Sequence, residues 1–190
     1  MFGIEPNREM REASERLLTG FPRFHAIASR AEATILPDRS VDIAVAGQSF
    51  HWFDRTQTHS ELRRILKPNG YVVLIWNSRQ TVGTPFLVEY EGLLRRFATD
   101  YDEVNHERID RTVITEFYGG AGFHEKSFPN RQTLDYAGLE GRLLSSSYAP
   151  GPGHPHHRAL LDELAHIFRA CEVDGAVALE YTTMMYYGRL

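Results

Sequence analysis

The sequence predicts an α/β fold, a mainly parallel sheet with helices on both faces, and three observations carry that expectation. Short apolar runs alternate with stretches whose apolar residues recur at helical spacing. Two of the runs, Val41 to Ala46 and Tyr71 to Trp76, are apolar almost throughout and rich in β-branched residues, as strands buried on both faces are. Between the runs fall Pro, Gly and Asn, which break regular structure.

Taken in order, Phe2-Gly3-Ile4 reads as a short buried strand ending at Glu5-Pro6. Asn7 can then cap a helix whose apolar face is Met10, Ala13, Leu17 and Leu18, and Gly20 stops it. Arg23 to Ser29 is a plausible second strand, and Leu36 to Ser40 a turn before the VDIAVA strand, Val41 to Ala46. Arg55 to Leu66 is expected to be helical, with Leu62, Ile65 and Leu66 inward. Lys67-Pro68-Asn69-Gly70 should break it ahead of the strand Tyr71 to Trp76. An aromatic and polar insert spans about 80–130 and holds a helix over Pro85 to Thr99. A strand with Pro129 at its edge, helices over Tyr136 to Ser146 and His157 to Cys171, and an alternating antiparallel strand from Ala176 to Gly188 follow. A single domain over 1–190 is expected.

Composition excludes several classes of function. A formal net charge of −4, with Lys and Arg scattered, argues against neutralising a phosphate backbone, so no nucleic-acid partner is expected. No apolar run is long enough to span a bilayer, and the start lacks a secretory pattern. With one cysteine, Cys171, no internal disulfide can form, and a cytoplasmic setting is expected. No serine nucleophile elbow is present. The histidines of PGHPHH, Pro152 to His157, lack Cys or acidic partners at ligand spacing, so no metal site is expected.

Chemistry is expected where parallel strands end, because open α/β sheets bind ligands at their carboxyl edge. Glu5 stands at such a place. It can accept hydrogen bonds from the two hydroxyls of a ribose, or it can be a turn residue favoured by the following helix dipole. Ala31-Glu32, Asn77-Ser78 and Gly47-Gln48-Ser49-Phe50-His51-Trp52-Phe53 end strands on the same rim. The last of these mixes large rings with Gln, Ser and His, which describes either a pocket wall or a packed loop leading into the next helix.

FGIEPNREM, SRAEATILPDRSVDIAVAGQSFHWFD and ELRRILKPNGYVVLIWN together resemble the class I S-adenosylmethionine-dependent methyltransferases of the type 11 kind. The terminal LEYTTMMYYGRL is similar to that family's last strand. The resemblance implies a Rossmann-like fold, S-adenosylmethionine as cofactor and a small-molecule methyl acceptor. It also implies that Glu5 holds the cofactor ribose, Met10 lies near the adenine, and Ala31 and Glu32 bind the adenine edge. Gln48 would stand near the methionine part. Phe50, His51 and Trp52 would line the acceptor entrance, with the aromatic insert as roof. His51 is the candidate base if the acceptor must lose a proton, although a histidine beside Trp can equally be a packing residue.

The family pattern opens with a strand and a G-x-G-x-G loop whose bare backbone approaches the cofactor. That loop is not found in this sequence. The family's strand order, 3-2-1-4-5-7-6, places the missing first strand between FGI and VDIAVA. Its absence, with that of the first helix, would leave two unpaired edges, and self-association as a homodimer through them is expected. Cofactor binding would be weakened, and a non-catalytic, self-associating methyltransferase remnant stands as the alternative function. A nicotinamide-dependent dehydrogenase would also use an acid after its second strand, but the later segments show no matching acceptor site.

Overall fold

The computed structural model describes residues 1–99, 101 and 111–190. Part of the insert expected over 80–130 therefore lies outside the described residues. The element order is β1 (Phe2–Ile4), α1 (Arg8–Leu17), β2 (His25–Ile27), β3 (Val41–Gly47), a 3-10 turn (Phe50–Trp52), α2 (Arg55–Ile65), β4 (Leu66–Arg79), α3 (Pro85–Phe97), α4 (Arg111–Tyr118), a second 3-10 turn (Gly119–Ala121), β5 (Phe123–Leu134), α5 (Tyr136–Leu144), α6 (His157–Cys171) and β6 (Val177–Gly188). Helix starts follow from their caps. The side chains of Asn7, Asp54, Thr84 and Asp135 each accept a backbone N–H of the first turn, satisfying donors that no helical partner can reach.

The strands form two sheets. β1 pairs with β2 in parallel, Phe2 opposite His25 and Ile4 opposite Ile27. The second sheet has the order β3-β4-β6-β5. β3 and β4 are parallel, with a register shift between Val41 and Ile43. β6 runs against β4, since Asn77 meets Thr183 and the Gln80 N–H donates to the Glu180 carbonyl. The adjacency β2-β1 and β3-β4-β6-β5 follows the two ends of the expected series, and the division falls between β1 and β3.

Two compact units divide the chain. One comprises Met1–Ile75, Asp110–Glu125 and Met185–Leu190, the other Trp76–Ile109 and Lys126–Met184. In the first, Phe50, Val72, Leu74, Ile114, Phe117 and Tyr118 are buried, and the Phe50 ring meets that of Phe117 edge-on at 4.7 Å. The Tyr118 hydroxyl lies within hydrogen-bonding distance of the Val72 and Tyr186 carbonyls, at 3.0 and 3.1 Å, and burial raises its pKa. In the second, α3 packs on α6, and their buried residues form one core with Leu139, Leu143, Val177, Leu179 and Tyr181. Each fully buried leucine there contributes about 2 kcal/mol through apolar area removed from water.

Several boundaries differ from the expectation. LKPNG does not separate α2 from β4. The strand begins at Leu66, and Gly70 lies so close to β3 that a Cβ there would meet a Leu66 methyl at 2.8 Å and the Asp42 carbonyl at 3.1 Å. β2 is shorter than Arg23 to Ser29, and β5 continues through Pro129 to Leu134.

Burial differs more sharply around the division. β3 was expected to be buried on both faces, yet Ile43 is 58% and Val45 62% exposed, because no layer among the described residues covers the face they share. The apolar face of α1 is equally uncovered: Met10 is 61% and Leu17 80% exposed, and no residue of that helix is buried.

Candidate functional site

Glu5, Met10, Ala31, Glu32, Gln48, Phe50, His51 and Trp52 all belong to the first unit. The Glu5 N–H donates to the Ile27 carbonyl at 3.1 Å, extending the β1–β2 pairing by one step and placing the side chain at the carboxyl end of that sheet. Its Oε1 accepts the Asn7 N–H at 2.8 Å, and its carbonyl accepts Arg11 Nη1 at 3.0 Å. The carboxylate therefore stands at the N-terminus of α1, where the helix dipole favours negative charge. Met10, one turn on, donates its N–H to the capping Asn7 side chain and leaves its own side chain exposed.

Ala31 and Glu32 lie half-buried in a tight turn after β2, closed by the Ala33 N–H on the Arg30 carbonyl at 3.1 Å. Glu32 Oε1 accepts the Asp54 N–H at 2.9 Å, which ties this turn to the residue that caps α2. The Asp54 carboxylate is itself held below its ordinary pKa, chiefly by the Gln57 N–H it accepts.

A further group of residues in this region was not anticipated from the sequence. Glu61, in the middle of α2, accepts the Thr34 N–H at 2.8 Å and the Thr34 hydroxyl at 2.6 Å, both on Oε1. Arg64 donates to both carboxylate oxygens of Glu61, at 2.7 and 2.8 Å, and through Nη1 to Asp38 at 2.6 Å. Hydrogen bonds from Arg64, then those from Thr34, hold the Glu61 carboxyl down to about 2 against the opposing effect of burial. Glu61-x-x-Arg64, spaced for neighbouring places on a helix, was the available signal.

At the end of β3, Gln48 has φ 52, in the left-handed region that side chains other than Gly, Asn and Asp rarely adopt. Its N–H donates to the Ile75 carbonyl at 3.0 Å, fixing that bend to β4. The next residues separate into two groups. Phe50 is 1% exposed and packs against Phe53 and Phe117, whereas Trp52 is 73% exposed and His51 lies beside it, their rings 4.7 Å apart. GQSFHWF is thus a packed loop at Phe50 and an exposed one at Trp52.

The strand ends of the first unit thus carry carboxylates and backbone groups, and the same unit holds a bent glutamine and an exposed His-Trp pair. Acceptors of this kind suit a polyhydroxylated, amino-bearing ligand. Residues 1–74 match the family described as Methyltransferase domain. The chain is 29% identical over 172 residues to an uncharacterised methyltransferase-like protein of Schizosaccharomyces pombe, covering 87% of this chain and 65% of that one.

Over its first 74 residues the chain is thus similar to methyltransferase domains.

A second uncharacterised methyltransferase of the same yeast is 40% identical over 76 residues, 40% of this chain and 30% of its own length. The chain thus spans less than two thirds of the length of these curated relatives. Among solved structures, a candidate type II methyltransferase from Anaeromyxobacter dehalogenans superposes with a TM-score of 0.67 at 24% identity, over 98% of this chain and 78% of its own. A SAM-dependent methyltransferase from Aquifex aeolicus gives 0.51 at 13% identity, over 100% and 68%. Both likenesses are of fold. Among the described residues, no helix of this chain is long and apolar enough to cross a membrane.

Proposed function

We propose that this chain carries the nucleoside side of an S-adenosylmethionine-dependent methyltransferase that acts on a small molecule in the cytoplasm. The observation that carries the reading is the pair of carboxylates, Glu5 and Glu32, each at the exit of a parallel strand and each engaged by a backbone N–H through Oε1 alone. The second oxygen of Glu5 would accept the ribose hydroxyls. Ala31 and Glu32 would meet the adenine edge, with Met10 against the ring. The donor set thus fits the nucleoside half of the cofactor. For the methionine half, these residues offer Gln48 but no G-x-G-x-G cradle, so affinity within this chain rests on the nucleoside.

When bound, the cofactor supplies a sulfonium methyl group, and the protein's work is to align the acceptor and, where needed, take its proton. His51 would accept that proton, and Trp52 would form the acceptor entrance with Phe50 as the buried ring beneath it. Calorimetric titration with S-adenosylhomocysteine tests the reading. Saturable binding that Glu5→Ala weakens is expected, and no heat at millimolar ligand would overturn it for this chain.

The divided sheet favours a second reading, homodimerisation with or without catalysis. Among the described residues, β1 pairs only with β2 and β3 only with β4, and unpaired strand edges beside exposed Ile43 and Val45 invite addition of another strand. A strictly monomeric sedimentation mass would contradict it. A dimer that binds no S-adenosylhomocysteine would favour the non-catalytic remnant.

A further inference from the structure

Between β2 and β3 the chain makes a loop, 28–40, that carries both Ala31 and Glu32 and has little regular structure of its own. Two of its residues, Ile35 and Arg39, sit at φ 58 and 49, conformations that cost energy for side chains of their kind and persist only where surroundings enforce them. The enforcing contacts converge on one side chain. Thr34 is 3% exposed, and its N–H and hydroxyl both end on Glu61. Asp38, on the far side of the bend, is drawn to the same place by Arg64, which is paired to Glu61. The Arg39 and Ser40 N–H groups then close onto the Arg64 and Ile65 carbonyls at the end of α2. From Thr34, the Ser29 hydroxyl reaches back across the turn to the Thr34 carbonyl at 3.2 Å, enclosing residues 30–33.

We propose that Glu61 is a positioning residue of the nucleoside site: by clamping Thr34 and aligning Arg64 on Asp38, it holds the 30–33 turn in the shape that presents Ala31 and Glu32 to the adenine. The proposal rests on the nucleoside reading above and adds a residue that itself touches no ligand. Glu61 is 27 positions from Thr34 in sequence and is buried at 9% exposure, so it acts only through the loop. A carboxylate is required there. It receives four hydrogen bonds, two from Thr34 and two from Arg64, and an amide would turn its NH2 against one set of those donors.

The test compares wild type with Glu61→Gln, Glu61→Asp and Leu62→Ala, the last a control that loosens α2 by removing a neighbouring core side chain. Hydrogen exchange of the ligand-free protein is read at the Thr34, Arg39 and Ser40 amides, and S-adenosylhomocysteine affinity by calorimetry. Glu61→Gln should speed exchange in 29–40 beyond any change elsewhere and weaken binding by about tenfold or more, the weight of one charge-assisted hydrogen bond's worth of order. Glu61→Asp should recover part of both. Leu62→Ala should lower the melting temperature while leaving affinity, measured well below it, near wild type. Unchanged exchange at Thr34 in Glu61→Gln would overturn the clamp, and a Leu62→Ala loss of affinity equal to that of Glu61→Gln would overturn its specific role. A wild type that binds no S-adenosylhomocysteine would overturn the nucleoside reading, and with it the proposal, even where the exchange result shows Glu61 holding the loop.

Discussion

Glu32 Oε1 accepts the backbone N–H of Asp54 at 2.9 Å, joining a turn after β2 to the cap of α2. This carboxylate braces a helix start, and in the proposed reading it also meets the adenine edge. Glu32→Ala should lower stability by about 1 kcal/mol, the usual net worth of one such bond, and weaken S-adenosylhomocysteine binding as well. Glu32→Gln keeps an acceptor and should lose much less stability. Chemical denaturation and calorimetry on the two variants measure the two effects separately.

Acidification should act through Glu61. Its carboxyl sits at about 2 against an ordinary value of 4.5, mainly because Arg64 donates to it. A depressed folded pKa stabilises the protein above the unfolded value, and that stabilisation is lost as pH falls through the folded one. Up to about 3 kcal/mol is therefore expected to disappear between roughly pH 4.5 and pH 2, and Glu61→Gln should flatten the curve in that window. Denaturant midpoints measured at intervals from pH 6 to pH 2 would show it. A wild-type curve as flat as the variant's would contradict the assignment.

In the second unit, Arg79 donates to Glu91 at 2.6 Å and to the Tyr101 hydroxyl at 2.8 Å, and its guanidinium lies 5.1 Å from the Tyr90 ring centre. Both charged side chains are largely buried, at 14% and 11% exposure. Glu91→Ala would leave the cation without its partner and should cost about 3 kcal/mol. Replacing both, as Arg79→Met with Glu91→Leu, should cost less than the single change. Thermal or urea unfolding of the three proteins gives the comparison.

Val45 and Ile43 project from a strand with one free edge. Val45→Lys places a charge beside that edge and should shift the sedimentation distribution toward monomer, with the second unit's unfolding unaffected. An unchanged distribution would remove the β3 edge from any dimer.

Legibility in the sequence varied with what each element depends on. α6 was readable to the residue because its periodic leucines meet other periodic residues, and β6 because Val177, Leu179 and Tyr181 alternate inward. The stripe on α1 and the apolar run of β3 were equally visible, but periodicity says which face is apolar and not whether anything covers it. The burial of Phe50 was not legible for a related reason: its partner Phe117 lies far along the chain, on α4, and no local pattern announces that contact. That Glu5, Ala31, Glu32 and Gln48 follow strands was legible from the alternating pattern, whereas the cofactor roles proposed for them come from the family resemblance. The Glu61 clamp was not legible, because a side chain bonding a distant backbone leaves only the faint trace of an acid three residues before an arginine.

The central claim is that a nucleoside seats where β1 and β2 end, and amide chemical shifts followed through a titration with S-adenosylhomocysteine address it most directly. Saturable shifts at Glu5, Ala31, Glu32 and Gln48, with those of the α3–α6 core left in place, are the predicted result. Shifts confined to residues away from these strand ends, or none at millimolar ligand, would contradict the account.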